Sequence, residues 1–315
     1  MRRFFALLLT AVLALSLLAG CTKSQEDAQQ QTGTSSDVSM AVVVAGTFGD
    51  RSFYDSSKEG ADRLTKDLGV QVKTIECNNV DHTQQIRNAA DAAEIVVLVG
   101  WEFYDVETVA NVLNITYAQN EGSFLAGYIA AKMSQTGVVG AVGGEDTDTI
   151  NDFIVGYTQG AQYANSSIQV ETVYANTYDD PAVGKECALT LHEKKADVVF
   201  QIASKTGDGV FQAAQEKGFY AIGVDSDQKY IADDVIICSM MKQVGNSIYE
   251  AVSDYISGDT SKWGTTWVAD MATGFIGIGY GEAGATQQVP DSLKSEVEEL
   301  AKKIVSGEIQ VETTR

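Results

Sequence analysis

Two carboxylates follow directly after a short apolar stretch late in the chain. Tyr220–Val224 is typical of a strand buried on both faces, and Asp225 and Asp227 come where that strand ends. In open α/β sheets, ligands bind beyond the carboxyl ends of the strands, where acids can accept hydrogen bonds from hydroxyls or amines. The same residues also suit a turn, because Asp and Ser side chains bond their own backbone. The stretch alone therefore leaves a ligand site and a turn both open.

Aromatic and amide side chains follow other predicted strands in the same way. Phe53 begins the helix that follows the first strand, Trp101 and Phe103 come just after the third, and Asn176 and Tyr178 come after a later one. Each of these positions is expected at a sheet edge where a ligand could bind. For the rings, packing in the core is the alternative, so the sequence predicts a role in a pocket without excluding a structural one.

Several common kinds of active site lack the residues they need. No GxGxxG or GxxxxGK[ST] follows a predicted strand, so a dinucleotide site or a P-loop has no motif here. The two histidines, His82 and His192, are far apart, which argues against a zinc site or a Ser-His-Asp triad. Cys77, Cys187 and Cys238 are widely spaced and suggest neither a disulfide framework nor a metal site. We therefore expect no cofactor and no metal.

Strands and helices alternate from Met40 onward. The predicted strands are Met40–Ala45, Val70–Ile75, Ile95–Gly100, Val138–Val142, Ile168–Tyr174, Asp197–Ile202, Tyr220–Val224 and Val235–Ser239. The predicted helices are Ser52–Leu68, Thr83–Ala93, Glu121–Ser134, Asn151–Ala164, Pro181–Glu193, Asp208–Glu216, Val244–Ile256 and Asp291–Val305, with a further helical region between Gly100 and Glu121. This alternation predicts an α/β protein of parallel sheets with helices on both faces, and its length suits two Rossmann-like lobes.

The first residues are typical of a secretory leader. Arg2 and Arg3 precede an apolar run from Phe4 to Leu18, and Leu-Ala-Gly then leads to Cys21. This tetrapeptide resembles the bacterial lipobox, in which the cysteine is lipidated. Residues 1–20 are thus a predicted lipoprotein signal peptide, and residues 21–38, almost without apolar side chains, are a predicted flexible tether. The protein is expected at the extracytoplasmic face of the cell membrane, anchored by its lipid.

The net charge argues against nucleic acid as a partner. It is −21 for the whole chain and becomes more negative once Arg2 and Arg3 leave with the signal peptide. A surface this acidic repels phosphate backbones and anionic headgroups, so no nucleic acid is expected to bind.

Several motifs together resemble the basic membrane protein family, also described as purine nucleoside receptor-like (PnrA-like) lipoproteins. The matching segments are AGTFGDRSFYDSSKEG, NEGSFLAGYIAAKMS, GVVGAVGGEDT, KTGDGVFQAA, IGVDSDQ, SMMK and SGEIQV, spread over most of residues 40–311. The resemblance implies a type I periplasmic-binding-protein fold, with two lobes joined by hinge strands and the ligand between them. The implied division is residues 39–117 plus 236–272 for lobe 1 and 118–235 plus 273–315 for lobe 2.

The resemblance also implies roles for individual residues. Phe53, in SFY, would stack on a nucleobase, and Asp225 and Lys242 would bind the sugar hydroxyls. This is physically sensible, since a diol suits an acceptor with two oxygens and a base suits an aromatic face. We also expect Asp50, Trp101, Asn176 and Asp227 among the ligand-binding residues, and Cys21 as the lipidated one.

The chain departs from the family pattern in three places. An acid usually follows the first strand directly, but here AGTFGD leaves only Asp50, and Tyr54 replaces the Asn of SFN. The family also carries a further strand ending in a base-reading acid. Here Val109-Ala110 runs straight into Asn111-Val112, as if that strand were absent, and its loss would open the first lobe.

These observations favour a binding protein over an enzyme. The first hypothesis is a lipid-anchored, monomeric receptor that captures a nucleoside and delivers it to an ABC permease. The alternative is a sensor or surface-interaction lipoprotein on the same fold, with a poorly formed cleft. A nucleoside hydrolase using Asp225 and Asp227 is a third possibility, but such enzymes need a metal held by more carboxylates than this DxD supplies.

Overall fold

Strands and helices alternate throughout the computed structural model, which describes residues 36–77, 82–103 and 109–314, apart from the side chain of Trp101. The strands are β1 (Ser39–Val44), β2 (Gln71–Glu76), β3 (Ile95–Val99), β4 (Val112–Tyr117), β5 (Val138–Gly143), β6 (Gln169–Tyr174), β7 (Val198–Ile202), β8 (Tyr220–Asp225), β9 (Ile236–Lys242), β10 (Thr266–Ala269) and β11 (Ile276–Gly279). The α-helices are α1 (Phe53–Leu68), α2 (His82–Ala92), α3 (Gln119–Met133), α4 (Asp148–Ala164), α5 (Pro181–Glu193), α6 (Asp208–Lys217), α7 (Val244–Ile256) and α8 (Asp291–Val305).

The strands form two sheets. The first has the order β10-β4-β3-β1-β2 and is parallel throughout. The second has the order β11-β9-β8-β7-β5-β6 and is parallel except for β11. Helices α1, α2 and α7 pack with the first sheet, and α3 to α6 and α8 with the second; these groups are the first and second lobes below. The predicted α/β fold of type I periplasmic-binding proteins is therefore confirmed.

Apolar β-branched residues explain why central strands are buried on both faces. In β1 (SMAVVV), Val42, Val43 and Val44 are fully buried, as parallel strands covered by helices on both sides require. Val42 lies opposite Thr74 of β2 and Val97 of β3, which fixes the register of the sheet centre. The carboxyl ends of these strands thus reach one common edge.

The helical region predicted between Gly100 and Glu121 is not found in the described part of this stretch, residues 101–103 and 109–118. This stretch contains a 3₁₀ turn at Trp101–Phe103 and the strand β4. Strand β4 pairs directly with β3, with Val97 opposite Leu113. The first sheet is therefore continuous across the place where the sequence lacks the family's additional strand, and the expected opening of the first lobe does not occur there.

The chain crosses between the lobes at three places within the described residues: at Ala118, at Gln243 and between Asp270 and Phe275. Backbone hydrogen bonds tie these crossings together. The N–H of Ala118 donates to the carbonyl of Ala269 (3.1 Å), and the N–H of Gln243 donates to that of Phe275 (2.9 Å). Adjacent crossings held in this way can act as a hinge.

Two predicted boundaries need correction. Strand β9 pairs with β8 in the second sheet, so the return to the first lobe begins after Lys242 and not at residue 236. The lobe to which β9 belongs is set by the strand with which it pairs, and not by its place along the chain.

The predicted tether, residues 21–38, ends too late, because the N–H of Ser36 already donates to the carbonyl of Leu68 (3.0 Å). The signal peptide and Cys21 lie outside the described residues.

None of the helices described is long and apolar enough to cross a membrane.

Candidate functional site

The carboxyl ends of strands from both sheets border one cavity of about 480 Å³. The first lobe contributes the segment after β1 and the start of α1, and the second contributes the ends of β7, β8 and β9 and the first turns of α4. The lining side chains discussed below are those of Asp50, Phe53, Tyr54, Glu102, Glu145, Phe153, Tyr178, Ser204, Asp225 and Lys242. Both its volume and its position beyond the strand ends are those of a small-molecule site.

Asp225, the last residue of β8, places a buried carboxylate in the cavity wall. Its Oδ2 accepts a hydrogen bond of 2.8 Å from the Ser52 hydroxyl, and its Oδ1 forms an ion pair with Lys242, whose Nζ lies 3.8 Å away. Burial raises the pKa of Asp225, while the charge of Lys242 and the Ser52 hydrogen bond lower it. Its φ of +63° is in the left-handed region, a strained conformation that is common at ligand sites.

Lys242 ends β9 and is only 5% exposed. Three aromatic rings surround its ammonium, which lies 4.4 Å from the ring centroid of Phe153, 5.1 Å from that of Phe53 and 5.6 Å from that of Tyr117. Cation–π attraction and the ion pair with Asp225 together offset the loss of hydration of the ammonium. A fixed carboxylate and a fixed ammonium side by side can bind two adjacent hydroxyls, one as acceptor and one as donor.

Asp50 lines the same cavity and also holds the start of α1. Its carboxylate accepts hydrogen bonds from the backbone N–H groups of Ser52 (3.1 Å), Tyr54 (3.1 Å) and Asp55 (3.0 Å), and one from the Ser204 hydroxyl (3.4 Å). It thus caps α1 in place of Ser52, the residue before the helix, whose side chain makes no capping bond. Burial raises the pKa of Asp50 to about 6 in spite of these bonds.

Two tyrosines and two glutamates form a further polar group in the cavity. Burial raises the pKa of Tyr54 and of Tyr178 above the ordinary value, and the negative charge of Glu102 adds to this for both hydroxyls. Burial also raises the pKa of Glu102; its own backbone N–H and His82 lower it, and the charge of Glu145 raises it. All four side chains line the cavity.

A set of polar contacts between the lobes lies beside the cavity; we call the contacts of Arg51 and Ser52 the interlobe seam. Arg51 pairs with Asp208, and its carbonyl accepts a hydrogen bond from Gln228 Nε2 (3.2 Å). The hydroxyl of Ser226 donates to the Ser52 carbonyl (3.2 Å), in addition to the bond from Ser52 to Asp225. The two lobes are therefore in direct contact at the rim of the cavity.

Of the residues predicted to bind ligand, Phe53, Asp50, Asp225 and Lys242 line this cavity. Their binding role remains a prediction, but they do lie together. Sequence reasoning missed Glu102, Glu145 and Phe153. Phe153 lies within a predicted helix, where nothing in its spacing distinguishes a cavity residue from a core residue.

Asp227 and Asn176 do not line the cavity. Asp227 Oδ2 accepts a hydrogen bond from the N–H of Gly281 (2.7 Å) and Oδ1 accepts one from that of Lys229 (3.2 Å), so this carboxylate holds a turn. Asn176 is exposed, has φ +55° and donates to the Tyr174 carbonyl (3.5 Å), which is also a turn geometry. Tyr178, the other residue predicted after β6, does line the cavity.

Of the residues after β3, Trp101 and Phe103 were predicted near the pocket, but the structure places Phe103 in the core and Glu102 at the cavity. Phe103 is fully buried in the core, with its ring edge-on to His82 at 5.5 Å. The side chain of Trp101 lies outside the described part of the chain. The side chain of Glu102, between them, lines the cavity.

The arrangement does not favour a hydrolase. Asp225 and Asp227 both border a second, neighbouring pocket, but the carboxylate of Asp227 is occupied by the backbone N–H groups of Gly281 and Lys229. Within the described residues no cluster of three or more His, Cys, Asp or Glu side chains could hold a metal ion.

A sequence profile of the family described as "ABC transporter substrate-binding protein PnrA-like" matches residues 104–315. The chain belongs to this PnrA-like family. A curated relative, Basic membrane protein A2 of Borrelia garinii subsp. bavariensis, is 30% identical over 298 residues, which are 86% of this chain and 87% of that protein. The predicted family is thereby confirmed.

Solved structures agree with the fold of the chain. An ABC transporter system solute-binding protein from Aeropyrum pernix K1 superimposes with a TM-score of 0.77 at 25% identity, over 88% of this chain and 94% of that one. The corresponding protein of Conexibacter woesei DSM 14684 has the same fold, with a TM-score of 0.70 at 23% identity over 88% and 99% of the two chains. As a PnrA-like protein, this chain belongs among substrate-binding proteins of ABC transporters, a family of binding proteins and not of enzymes.

Proposed function

We propose that this protein captures a purine nucleoside between its two lobes and delivers it, as a monomer, to the permease of an ABC importer. The observation that carries the proposal is the convergence of Phe53, Phe153, Asp225 and Lys242 on one cavity of about 480 Å³. Aromatic rings offer faces on which a base can stack, a contact worth about 1–3 kcal/mol per base. The Asp225–Lys242 pair offers an acceptor and a donor for a ribose diol.

The charge of the cavity supports a nucleoside rather than a nucleotide. Its lining includes five carboxylates, from Asp50, Glu102, Glu145, Asp179 and Asp225, but only two lysines, Lys205 and Lys242. Phosphate groups would be repelled by this excess of negative charge, whereas hydroxyl and N–H donors would find acceptors. The ligand is therefore expected to be rich in donors and to carry no phosphate.

Capture would proceed by closure of the lobes. The aromatic and polar groups come from both lobes, so an open form makes only part of the contacts with the ligand. The ligand then favours the closed form by its differential affinity, and the expulsion of water strengthens its polar bonds. The formed cavity does not favour the alternative of a sensor with a poorly formed cleft.

Calorimetric titration with adenosine, guanosine, inosine, the corresponding monophosphates and free ribose tests the proposal. We expect at least one nucleoside to bind, with ribose and the monophosphates binding far more weakly. Asp225→Asn should weaken the binding of every nucleoside, because the acid bonds the common sugar. Binding by no nucleoside would refute the proposal. Glu299→Gln, on the exposed face of α8, is the matched control.

A lipid on Cys21 is proposed to hold the protein at the extracytoplasmic face of the membrane. The proposal rests on the leader pattern that ends in Leu-Ala-Gly-Cys. Cys21→Ala should move the protein from the membrane fraction to the soluble fraction, and unchanged membrane association would exclude this anchor.

A further inference from the structure

Glu102 lines the cavity separately from the Asp225–Lys242 ion pair. It lies in the 3₁₀ turn after β3, followed by Phe103, whose fully buried ring anchors the turn in the core. The turn therefore holds the Glu102 backbone while its carboxylate lines the cavity. A residue at a strand end, next to a side chain packed in the core, is well placed to recognise a ligand.

One oxygen of the Glu102 carboxylate is available to accept a hydrogen bond. Its Oε2 is buried and accepts no hydrogen bond from any residue that the structure describes. Native proteins rarely leave a buried acceptor unpaired, because it has lost its hydration without a replacement. Because the oxygen lies in the wall of a cavity, a ligand donor can supply the missing bond.

Gly100 makes room for this carboxylate. A Cβ atom at Gly100 would lie 2.7 Å from Glu102 Oε2, and the φ of +143° at Gly100 is also unfavourable for other residues. The position of the oxygen thus depends on local backbone geometry as well as on the side chain itself.

The surroundings of Glu102 select for N–H donors. Glu145, from the second lobe, lines the same cavity, so two carboxylates border a region that attracts donors and repels acceptors. Burial raises the pKa of Glu102, its own backbone N–H and His82 lower it, and the charge of Glu145 raises it. The two oxygens of a carboxylate match two parallel N–H groups in a bidentate contact. A guanine-type base carries such a pair on one edge, whereas hypoxanthine carries a single N–H there. The hydroxyls of the sugar are already matched by Asp225 and Lys242.

We propose that Glu102 is a specificity-determining residue, which binds the edge of a nucleobase with two adjacent N–H donors and so selects guanine-type nucleosides. The inference rests on the proposed function, because it names the base taken by the same cavity. The discrimination expected from one bidentate pair is roughly 5- to 150-fold in Kd.

Calorimetric titration of the wild type and of Glu102→Gln with guanosine and inosine tests the inference. The wild type should bind guanosine more tightly than inosine. In the variant this preference should disappear, because the amide presents a donor where the carboxylate presents its second acceptor. Glu102→Asp keeps the charge but shortens the reach, and it should retain part of the preference. Glu299→Gln, far from the cavity, should bind as the wild type does.

The outcomes separate the two proposals. Equal affinity of the wild type for guanosine and inosine, or a preference that survives in Glu102→Gln, overturns the role of Glu102 and leaves the nucleoside function standing. Binding of neither nucleoside by the wild type overturns both. Thermal melting of each variant shows that it is folded, and if Glu102→Gln fails to fold, the comparison is made with Glu102→Asp.

Discussion

Asp50 shows how a single side chain serves both the fold and the cavity. It caps α1 through three backbone N–H groups and accepts a bond from Ser204 of the other lobe. A carboxylate with so many donors would normally have a low pKa. Burial outweighs the donors, and the nearby charge of Asp225 acts in the same direction, so the pKa rises to about 6.

The raised pKa makes Asp50 a source of pH-dependent stability. Its pKa is about 6 in the folded protein against 3.8 for an unperturbed aspartate, so the folded state holds the proton more tightly. The free energy of unfolding should therefore fall as the pH rises from 3.8 to about 6, by roughly 3 kcal/mol from this group. Asp50→Asn removes this contribution, so the variant should gain stability relative to the wild type over that window.

Urea unfolding of both proteins at about pH 4 and about pH 7 measures the effect. The difference between the two unfolding free energies is followed as the pH changes, because acids that do not interact with Asp50 titrate alike in both proteins. Asp62→Asn, an exposed acid on α1, is the control and should follow the wild type. A constant difference between Asp50→Asn and the wild type would contradict the prediction.

At the scale of elements, the contact between α3 and α4 positions one wall of the cavity. The first turns of α4 carry Phe153, and α3 starts at the crossing between the lobes. The two helices approach closely because glycines face each other's backbone. A Cβ atom at Gly127 would lie 1.9 Å from the carbonyl oxygen of Tyr157, and one at Gly160 would lie 1.9 Å from that of Phe124.

Gly160→Ala should force these helices apart. The added methyl group meets backbone, which cannot move aside as the end of a side chain can, so the cost should reach or exceed the roughly 1–3 kcal/mol typical of overpacking. Because Phe153 would move with α4, the affinity for ligand should fall as well. Denaturant unfolding and calorimetry measure the two effects.

Gly277→Ala in β11 is the matched control, since nothing lies within 4 Å of its added Cβ atom. Its unfolding free energy should stay close to that of the wild type. If Gly160→Ala and Gly277→Ala were equally stable, the close approach of α3 and α4 would not depend on a glycine at position 160.

At the scale of the whole molecule, the interlobe seam couples closure to binding. Its contacts join the segment before α1 to the second lobe and can form only when the lobes meet. Their strengths should differ, because Arg51 is 44% exposed while Ser52 is fully buried against Asp225. Screening by solvent limits an exposed ion pair to about 0.2–1 kcal/mol, whereas an unsatisfied buried acceptor costs about 1–3 kcal/mol.

Ser52→Ala should therefore weaken ligand binding more than Arg51→Ala does. Each substitution destabilises the closed form relative to the open one, and the apparent affinity falls with the population of the closed form. Calorimetry gives the affinities, and small-angle scattering with and without ligand reports closure. Lys58→Ala removes an ion pair confined to α1 and should change neither quantity. Equal affinities for the serine and arginine variants would refute the ranking.

The alternation of strands and helices, and with it the fold, could be predicted from the sequence. Buried strands such as MAVVVA and helices such as Pro181–Glu193 carry local signals, so their positions agree closely with the structure. The position of Phe53 and Asp225 at the cavity could be predicted for a related reason. Both follow buried strands, and the carboxyl ends of parallel strands meet at a common edge whatever the loops do.

Pairing partners and side-chain directions depended on contacts between residues distant along the chain. No local pattern shows that β4 pairs with β3, or that β9 joins the second sheet. Asp225 and Asp227 are two residues apart and look equivalent in sequence, yet one faces the cavity and the other bonds the backbone of Gly281. The sequence by itself determined which residues end the strands. Only the tertiary structure decided which of them share a cavity, because that depends on how two separate sheets face each other.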